Sequence, residues 1–198
     1  MIKLIIFDIG GVLDTFYERQ YISYITKKLH ISQTAFREIL VPQLKKSEVG
    51  KMKIKELQLM LSKRFGISIR KLEWNEEFRK LNRLNNDVVR LAGRLSKRYK
   101  IVLLTNVSRS RQTIKMETVL KKVKYDRIFA SCYLKMAKPD PMIYRYVLEK
   151  MKMKPSEAVF IDDRKENVEG ARKVGIAAIQ FVGYAELVKR LRKLGIKP

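Results

Sequence analysis

The sequence predicts an α/β protein: a Rossmann-like parallel-sheet core with an inserted small α-helical segment. Three observations carry this expectation. Short apolar runs, among them Leu4-Ile5-Ile6-Phe7 and Ala158-Val159-Phe160-Ile161, are each closed by a polar turn signal. That is the pattern of strands buried on both faces of a parallel sheet. After residue 85 such runs alternate with helical periodicity, as right-handed crossovers require. Between about Tyr17 and Leu84 the signal is almost wholly helical.

Taken in order, Leu4 to Phe7 is the first strand, ended by Asp8-Ile9-Gly10-Gly11. Ser32 is the residue type that caps a helix, here one running through Phe36, Ile39 and Leu40. Ile54, Leu57, Leu61 and Phe65 recur at helical spacing, and Gly66 ends that helix. Leu72, Phe78 and Leu81 indicate another. Asn86 or Asp87 opens a helix carrying Val88, Leu91 and Leu95, and Ile101 to Leu104 is a strand ending at Thr105-Asn106. Ser108 starts a helix through Ile114, Val119 and Leu120, and Arg127 to Ala130 is a shorter strand. Pro139 to Met151 is helical, with prolines in its first turn. The strand before Asp162 leads to a helix from Lys165 to Val174, ended by Gly175. A strand from Ala177 to Val182 and a basic amphipathic helix from Ala185 to Leu194 follow.

At 198 residues, 46% hydrophobic and 32% charged, the chain has the composition of a folded globular protein. No apolar stretch approaches the roughly 18 residues of a membrane span. The first apolar run stops at Asp8 without a cleavage site, so no signal peptide is expected. The single Cys132 excludes an internal disulfide and suits a reducing cytoplasm. Cys132 reads as a small strand-end residue and the lone His30 as a helix-end residue; neither has an obvious catalytic partner. The net charge of +24, from 44 Lys and Arg against 20 Asp and Glu, attracts anions. It points either to a phosphorylated or polyanionic partner or to a heavily solvated surface. No zinc-finger or RNA-recognition signature accompanies it.

Asp8, Thr105, Lys138 and the pair Asp162-Asp163 stand at or near the ends of predicted strands. In an open α/β sheet the chemistry sits at the strands' carboxyl ends. Three carboxylates gathered there repel one another unless a cation holds them, and hard oxygen ligands point to Mg2+. One aspartate is then placed to act as a nucleophile. Each residue also has a plain structural reading: Thr105-Asn106 as a turn, Lys138 as a solvated lysine, Asp162-Asp163 as a helix cap.

Together these residues resemble the haloacid dehalogenase superfamily across nearly the whole chain. Phe7-Asp8-Ile9-Gly10-Gly11-Val12-Leu13 is similar to its first motif and Leu103-Leu104-Thr105-Asn106 to its second. Lys138-Pro139-Asp140-Pro141 is similar to the third, and Phe160-Ile161-Asp162-Asp163 with Glu166-Asn167-Val168 to the fourth. The resemblance is closest to phosphatases with a helical cap, such as sugar-1-phosphatases and the phosphatase domain of soluble epoxide hydrolases. Glu48-Val49-Gly50-Lys51-Met52 is similar to a Glu-x-Gly turn of such caps. The resemblance implies a core of residues 1–16 and 85–198 and a cap of residues 17–84.

The resemblance also implies roles. Asp8 attacks phosphorus and forms an aspartyl-phosphate. Asp8, the Gly10 carbonyl and Asp163 hold Mg2+, with Asp162 as the outer partner and Asn167 in support. Thr105 and main-chain N–H groups near Asn106 bind the phosphoryl oxygens, and Lys138 balances charge. Lys51 is a candidate substrate contact from the cap, and Phe16 and Tyr17 lie where the cap begins. The implied substrate is a small phosphorylated metabolite; the implied activity is hydrolysis of a phosphoric monoester. The chain departs from the family at Gly10, where most such phosphatases carry an acid–base aspartate; Asp14 is the nearest substitute. Dehalogenases also lack that aspartate but do not keep the paired carboxylates, so Asp162-Asp163 favours phosphate over halide. The alternative is a non-catalytic phosphate- or RNA-binding protein that retains the metal site.

Overall fold

Five short strands run parallel in one sheet, in the order β3-β2-β1-β4-β5. They are β1 (Leu4–Phe7), β2 (Lys100–Thr105), β3 (Arg127–Ala130), β4 (Ala158–Asp162) and β5 (Ala177–Gln180). The structure, a computed structural model, describes every residue except 16, 17, 73–75, 77, 78, 81, 118 and 119. Helices α1 (Glu18–Leu29), α2 (Gln33–Glu48) and α3 (Ile54–Phe65) lie between β1 and β2 in the chain, followed by α4 (Asn86–Leu95). The remaining crossovers carry α5 (Arg109–Glu117), α6 (Ser131–Leu134), α7 (Pro141–Met151) and α8 (Lys165–Arg172), and α9 (Tyr184–Lys193) follows β5.

Alternation along each strand divides the core into two layers. Ile5 and Phe7 pack with Val88, Leu91, Leu187 and Leu191 on one face. Leu4 and Ile6 pack with Ile143, Val147, Phe160 and Ala171 on the other. All four residues of β1 are fully buried, which is why the strand reads as an unbroken apolar run rather than an alternation.

Helices α1 to α3 have a third cluster of their own, built on Tyr21, Ile25, Phe36, Leu40, Leu57 and Leu61. Ser32 caps α2 by accepting the Ala35 N–H at 3.3 Å. The helix runs on through Pro42 to Glu48, beyond the predicted apolar stripe. Gly66, at φ 63°, ends α3 in the left-handed conformation that glycine adopts without penalty. Leu72 lies in a short 3-10 turn, Ile69–Leu72, rather than in a predicted helix. Trp74, Phe78 and Leu81 fall outside the described residues, as do Phe16, Tyr17 and Val119.

Some ends differ from expectation. The helix predicted from Pro139 starts at Pro141, because the residue before a proline is driven out of the helical region. That residue, Asp140, becomes the cap instead and accepts the Met142 N–H at 2.9 Å. The last strand ends at Gln180, two residues short of the predicted Val182.

The register places the carboxyl ends. Phe7 pairs with Leu103 on one side and Ile161 on the other. Asp8 therefore leaves the sheet beside Asp162, with Thr105 ending the neighbouring strand on the opposite side.

Candidate active site

Lys138 is the hub of the site. Its ammonium donates to Asp8 Oδ1 at 2.7 Å, Asp162 Oδ2 at 2.6 Å and the Leu104 carbonyl at 3.0 Å. All three donor positions of an ammonium are thus used, on three adjacent strands. Asp8 and Lys138 are only 6% and 5% exposed, and Asp162 is fully buried. Burial raises the Asp8 pKa to about 7; Lys138 opposes the rise and Asp162 adds to it. Burial lowers the Lys138 pKa, but Asp162 and Asp8 outweigh it, and the net shift is upward.

The backbone beneath Lys138 is anchored from β2. The Asn106 side chain donates to the Lys138 carbonyl at 2.8 Å and accepts its N–H at 2.9 Å. From the other side, Gly170 in α8 lets the helix close on this segment. A Cβ at Gly170 would lie 2.5 Å from the Pro139 carbonyl oxygen.

The two motif carboxylates differ in surroundings. Asp162 Oδ1 accepts the Arg164 N–H at 2.9 Å, and both its oxygens accept from Asn167 Nδ2 at 3.0 Å. Asp163 instead lines a cavity of about 300 Å³ together with Asp8, Gly10, Thr105 and Asn167. Burial and then the Asp162 charge raise its pKa to about 6. Its approach depends on Gly11, at φ 77°, where a Cβ would stand 2.5 Å from Asp163 Oδ2. One carboxylate oxygen from each of Asp8, Asp162 and Asp163 lies within 4.8 Å of the others. This all-oxygen donor set suits a hard divalent cation, which would offset the burial and the mutual repulsion that raise the Asp8 and Asp163 pKa values.

Thr105 and Asn106 line the same cavity, but Lys51 does not. Gly50, at φ 74°, reverses the chain after α2, leaving Lys51 exposed. Glu48, one residue before that turn, reaches the cavity instead. The turn is pinned to the core: Ser131 donates to the Glu48 carbonyl at 2.6 Å, and Ser131 Oγ accepts the Val107 N–H at 3.0 Å.

Opposite Glu48 the cavity wall is cationic. Arg111 and Lys115, one turn apart on α5, both line it, as do Arg19 on α1 and Arg164. Burial raises the Glu48 pKa, against the pull of Arg111. Burial lowers the Arg111 pKa, against Tyr21, Glu48 and Glu18. The Arg111 guanidinium lies 5.8 Å from the Tyr21 ring centroid. Sequence reasoning assigned no role to Arg111, Lys115, Arg19 or Arg164, and placed Glu48 only in the Glu-x-Gly turn of the cap. The available signal was the i, i+4 spacing of Arg111 and Lys115 on the helix that follows Thr105.

Cys132 is buried with Val107 and Ala130, and His30 follows α1 at φ 52°. Among the described residues no helix is long and apolar enough to cross a membrane.

Comparison with known proteins agrees with this architecture. The bifunctional epoxide hydrolase 2 of Rattus norvegicus is 39% identical over 70 residues, 35% of this chain and 13% of that protein. The phosphorylated carbohydrates phosphatase of Thermotoga maritima is 32% identical over 87 residues, 44% of this chain and 40% of that one. The chain thus spans well under half the length of these relatives. An enzyme from Bacteroides thetaiotaomicron, solved as a mutant with magnesium and inorganic phosphate, superposes with a TM-score of 0.78. It is 20% identical, over 94% of this chain and 99% of that one. A predicted HAD-like family hydrolase from Porphyromonas gingivalis gives the same TM-score at 23% identity, over 98% of each chain. Residues 2–175 match the haloacid dehalogenase-like hydrolase family, and with most of its length so matched the chain belongs to that family.

Proposed function

We propose that the protein is a Mg2+-dependent phosphatase of small phosphomonoesters, working through an aspartyl-phosphate at Asp8. The observation that carries the reading is the Lys138 ammonium held between Asp8 and Asp162, all beside one cavity at the carboxyl ends of the strands. A structural lysine has no need of three strand ends. A phosphoryl site does, because it must balance several negative charges at a fixed position. The Thermotoga relative is named for phosphorylated carbohydrates, and the Bacteroides neighbour was solved with magnesium and phosphate, which supports the same chemistry here.

Asp8, Asp163 and the Gly10 carbonyl would hold the metal, with Asp162 behind them. Bound there, Mg2+ supplies positive charge to the phosphoryl oxygens. Everything else is done by the chain. Lys138 grips Asp8 Oδ1 and fixes the rotation of the carboxylate. A carboxylate oxygen of Asp8 attacks phosphorus as the bond to the leaving oxygen breaks. Thr105 and the backbone N–H groups after β2 receive the phosphoryl oxygens. Water then attacks the phosphorus of the aspartyl-phosphate, releasing phosphate and restoring Asp8.

Residues 17–84 form a cap over a core of 1–16 and 85–198 on this reading, supported by the separate apolar cluster of α1 to α3. Glu48 and Arg111 face the substrate's leaving group across the cap–core boundary and choose among polar leaving groups. A panel of phosphomonoesters assayed for phosphate release, with and without Mg2+, tests the reading. The expected result is Mg2+-dependent release that Asp8→Asn abolishes. Release that survives Asp8→Asn, or absence of release from every ester, would overturn it.

A further inference from the structure

In a wholly parallel sheet, every segment that enters a strand lies at the same pole, opposite the carboxyl ends. Here those segments are residues 1–3, 96–100, 121–127, 150–157 and 172–176, and residues 192–198, at and after the end of α9, lie beside them. Hydrogen bonds and contacts join them into one surface. Lys100 N–H donates to the Lys3 carbonyl, and Lys3 N–H to the Glu157 carbonyl, at 2.9 and 2.8 Å. Asp126 Oδ2 accepts the Ile101 N–H at 2.7 Å, and the Tyr99 hydroxyl accepts the Lys197 N–H at 3.4 Å. A Cβ on Gly175 would lie 3.3 Å from Pro155 Cβ, which ties in the segment before β5.

These segments carry 16 lysines and arginines and two acids, Asp126 and Glu157; a third acid, Glu149, flanks them and lies 3.5 Å from Lys150. All 16 cations are exposed. Both acids are engaged locally: Asp126 caps the start of β2, and Glu157 holds Lys3 at 2.6 Å and the Lys154 N–H at 2.9 Å. Among the described residues, only Lys3 and Lys150 of the 16 form an ion pair. The aspartates at the active-site pole, Asp8, Asp14, Asp162 and Asp163, have no counterpart here. These segments thus carry more than half of the net charge of +24 on under a fifth of the residues.

We propose that this amino-terminal pole binds the phosphodiester backbone of nucleic acid. Five strands at about 4.8 Å spacing span roughly 19 Å, so charges at neighbouring strand starts fall within the Debye length of about 8–10 Å and repel one another. Their mutual repulsion is relieved best by a ligand that is itself an extended row of anions. A small phosphorylated substrate is not such a ligand, and it enters at the other end of the sheet. Tyr99 and Tyr125, half-buried at this pole, pack against the apolar core, so the contact expected is with phosphates rather than bases. An anionic bilayer fits less well, because a membrane-docking face inserts bulky apolar side chains. Only Met1 and Leu194 are strongly exposed large hydrophobics at this pole among the described residues.

Fluorescence anisotropy of the full chain with a labelled single-stranded RNA and a labelled DNA duplex tests the inference. Two charge-reversal variants of equal net charge decide it. One carries Lys97→Glu, Lys121→Glu, Lys152→Glu and Arg192→Glu at the pole. The other carries Lys27→Glu, Lys46→Glu, Lys55→Glu and Lys63→Glu on α1 to α3. Wild-type affinity is expected to fall about 100-fold between 50 and 200 mM salt for every four phosphates neutralised. The pole variant should lose at least about 30-fold at fixed salt and flatten the salt slope; the other should lose about threefold or less. Glutamine at the same pole positions, which removes charge without adding repulsion, should give the same order. Equal loss in both variants, no binding at 50 mM salt, or tighter binding to phosphatidylserine vesicles at equal anionic charge would each overturn it. Phosphate release plays no part in this readout, so the test stands apart from the proposed activity.

Discussion

Lys115 on α5 donates to Asp14 Oδ2 at 2.6 Å, with the two side chains 5% and 0% exposed. The pair joins the helix after β2 to the loop after β1, and Asp14 is bridged through its backbone to Gly10 on one side and Leu84 on the other. It therefore ties the loop that follows Asp8 to the wall of the cavity. Removing one partner of a buried pair strands the other charge and costs about 3–5 kcal/mol, whereas removing both is often close to neutral. Lys115→Met should lower stability by that order, and Asp14→Asn with Lys115→Met should recover most of it. Urea denaturation of the two variants checks this. A double variant as unstable as the single one would show that the pair is not the principal interaction of Lys115.

The environments of Asp162 and Asp163 separate their mutants. Asp162 holds Lys138, Asn167 and the Arg164 N–H, so Asp162→Asn should destabilise the fold as well as weaken the metal. Asp163 faces the cavity, so Asp163→Asn should leave the melting temperature near wild type. It should lose more Mg2+ affinity than the roughly 10–100-fold typical of losing an outer partner. Calorimetric Mg2+ titration beside thermal melts reads both. The reverse ranking of the two affinities would exchange their roles.

The carboxylate shifts give a pH signature. Asp8 at about 7 and Asp163 at about 6 both lie above the unfolded value of 3.8. Between pH 4 and 7 the metal-free folded state therefore holds protons that the unfolded chain has released. By linkage its stability falls as pH rises through that window. Lys138 works in the opposite sense: its folded pKa is raised, so its contribution is present below the unfolded 10.5 and constant across this range. Mg2+ requires ionised carboxylates, so it should raise the melting temperature more at pH 8 than at pH 5. Equal Mg2+ stabilisation at both pH values would contradict this account of the site.

The strands and the motif residues were legible because their signals are local. β1 and β3 lie where their apolar runs predicted, and each of Asp8, Thr105 and Asp162 closes or immediately follows a strand. The cavity wall was not legible. Periodicity tells which residues share a face of α5, but not whether that face meets solvent or the cavity; the packing of the crossover decides that. Lys51 shows the same limit at a turn. The chain reverses at Gly50 with the Glu48 carbonyl held by Ser131; Glu48 enters the cavity and Lys51 does not. The charge of +24 was visible at once, but its concentration at one pole needed the strand directions.

The Arg111–Glu48 wall predicts a kinetic split. Groups that meet the leaving group rather than the phosphoryl group affect large substrates more than small ones. Arg111→Met should reduce kcat/KM for a polar phosphomonoester by about 10–100-fold, the range of a lost charged hydrogen bond. An aryl phosphate with few polar groups should lose much less. Parallel losses on both substrates would place Arg111 at the phosphoryl group instead.

Gly10 sets the last prediction. The position two residues after Asp8 carries no side chain, so it cannot protonate a leaving oxygen or activate water. Acid–base assistance is typically worth about 10²–10⁴-fold. Without it, alkoxides leave poorly, while aryl, acyl and anomeric oxygens, which are more stable as anions, leave with less help. Wild type should therefore prefer esters of acidic leaving groups, and phosphoenzyme at Asp8 should accumulate because the second half-reaction lacks the same base. Gly10→Asp should speed alkyl ester turnover and shorten the life of the phosphoenzyme. Asp14, the other acid on this loop, is engaged by Lys115, which leaves it poorly placed to substitute. Turnover measured against leaving-group pKa, with intact-mass detection of the phosphoenzyme, checks both halves. A flat dependence in wild type with no gain in Gly10→Asp would mean that another group on the cavity wall, with Glu48 the first to test, already delivers the proton.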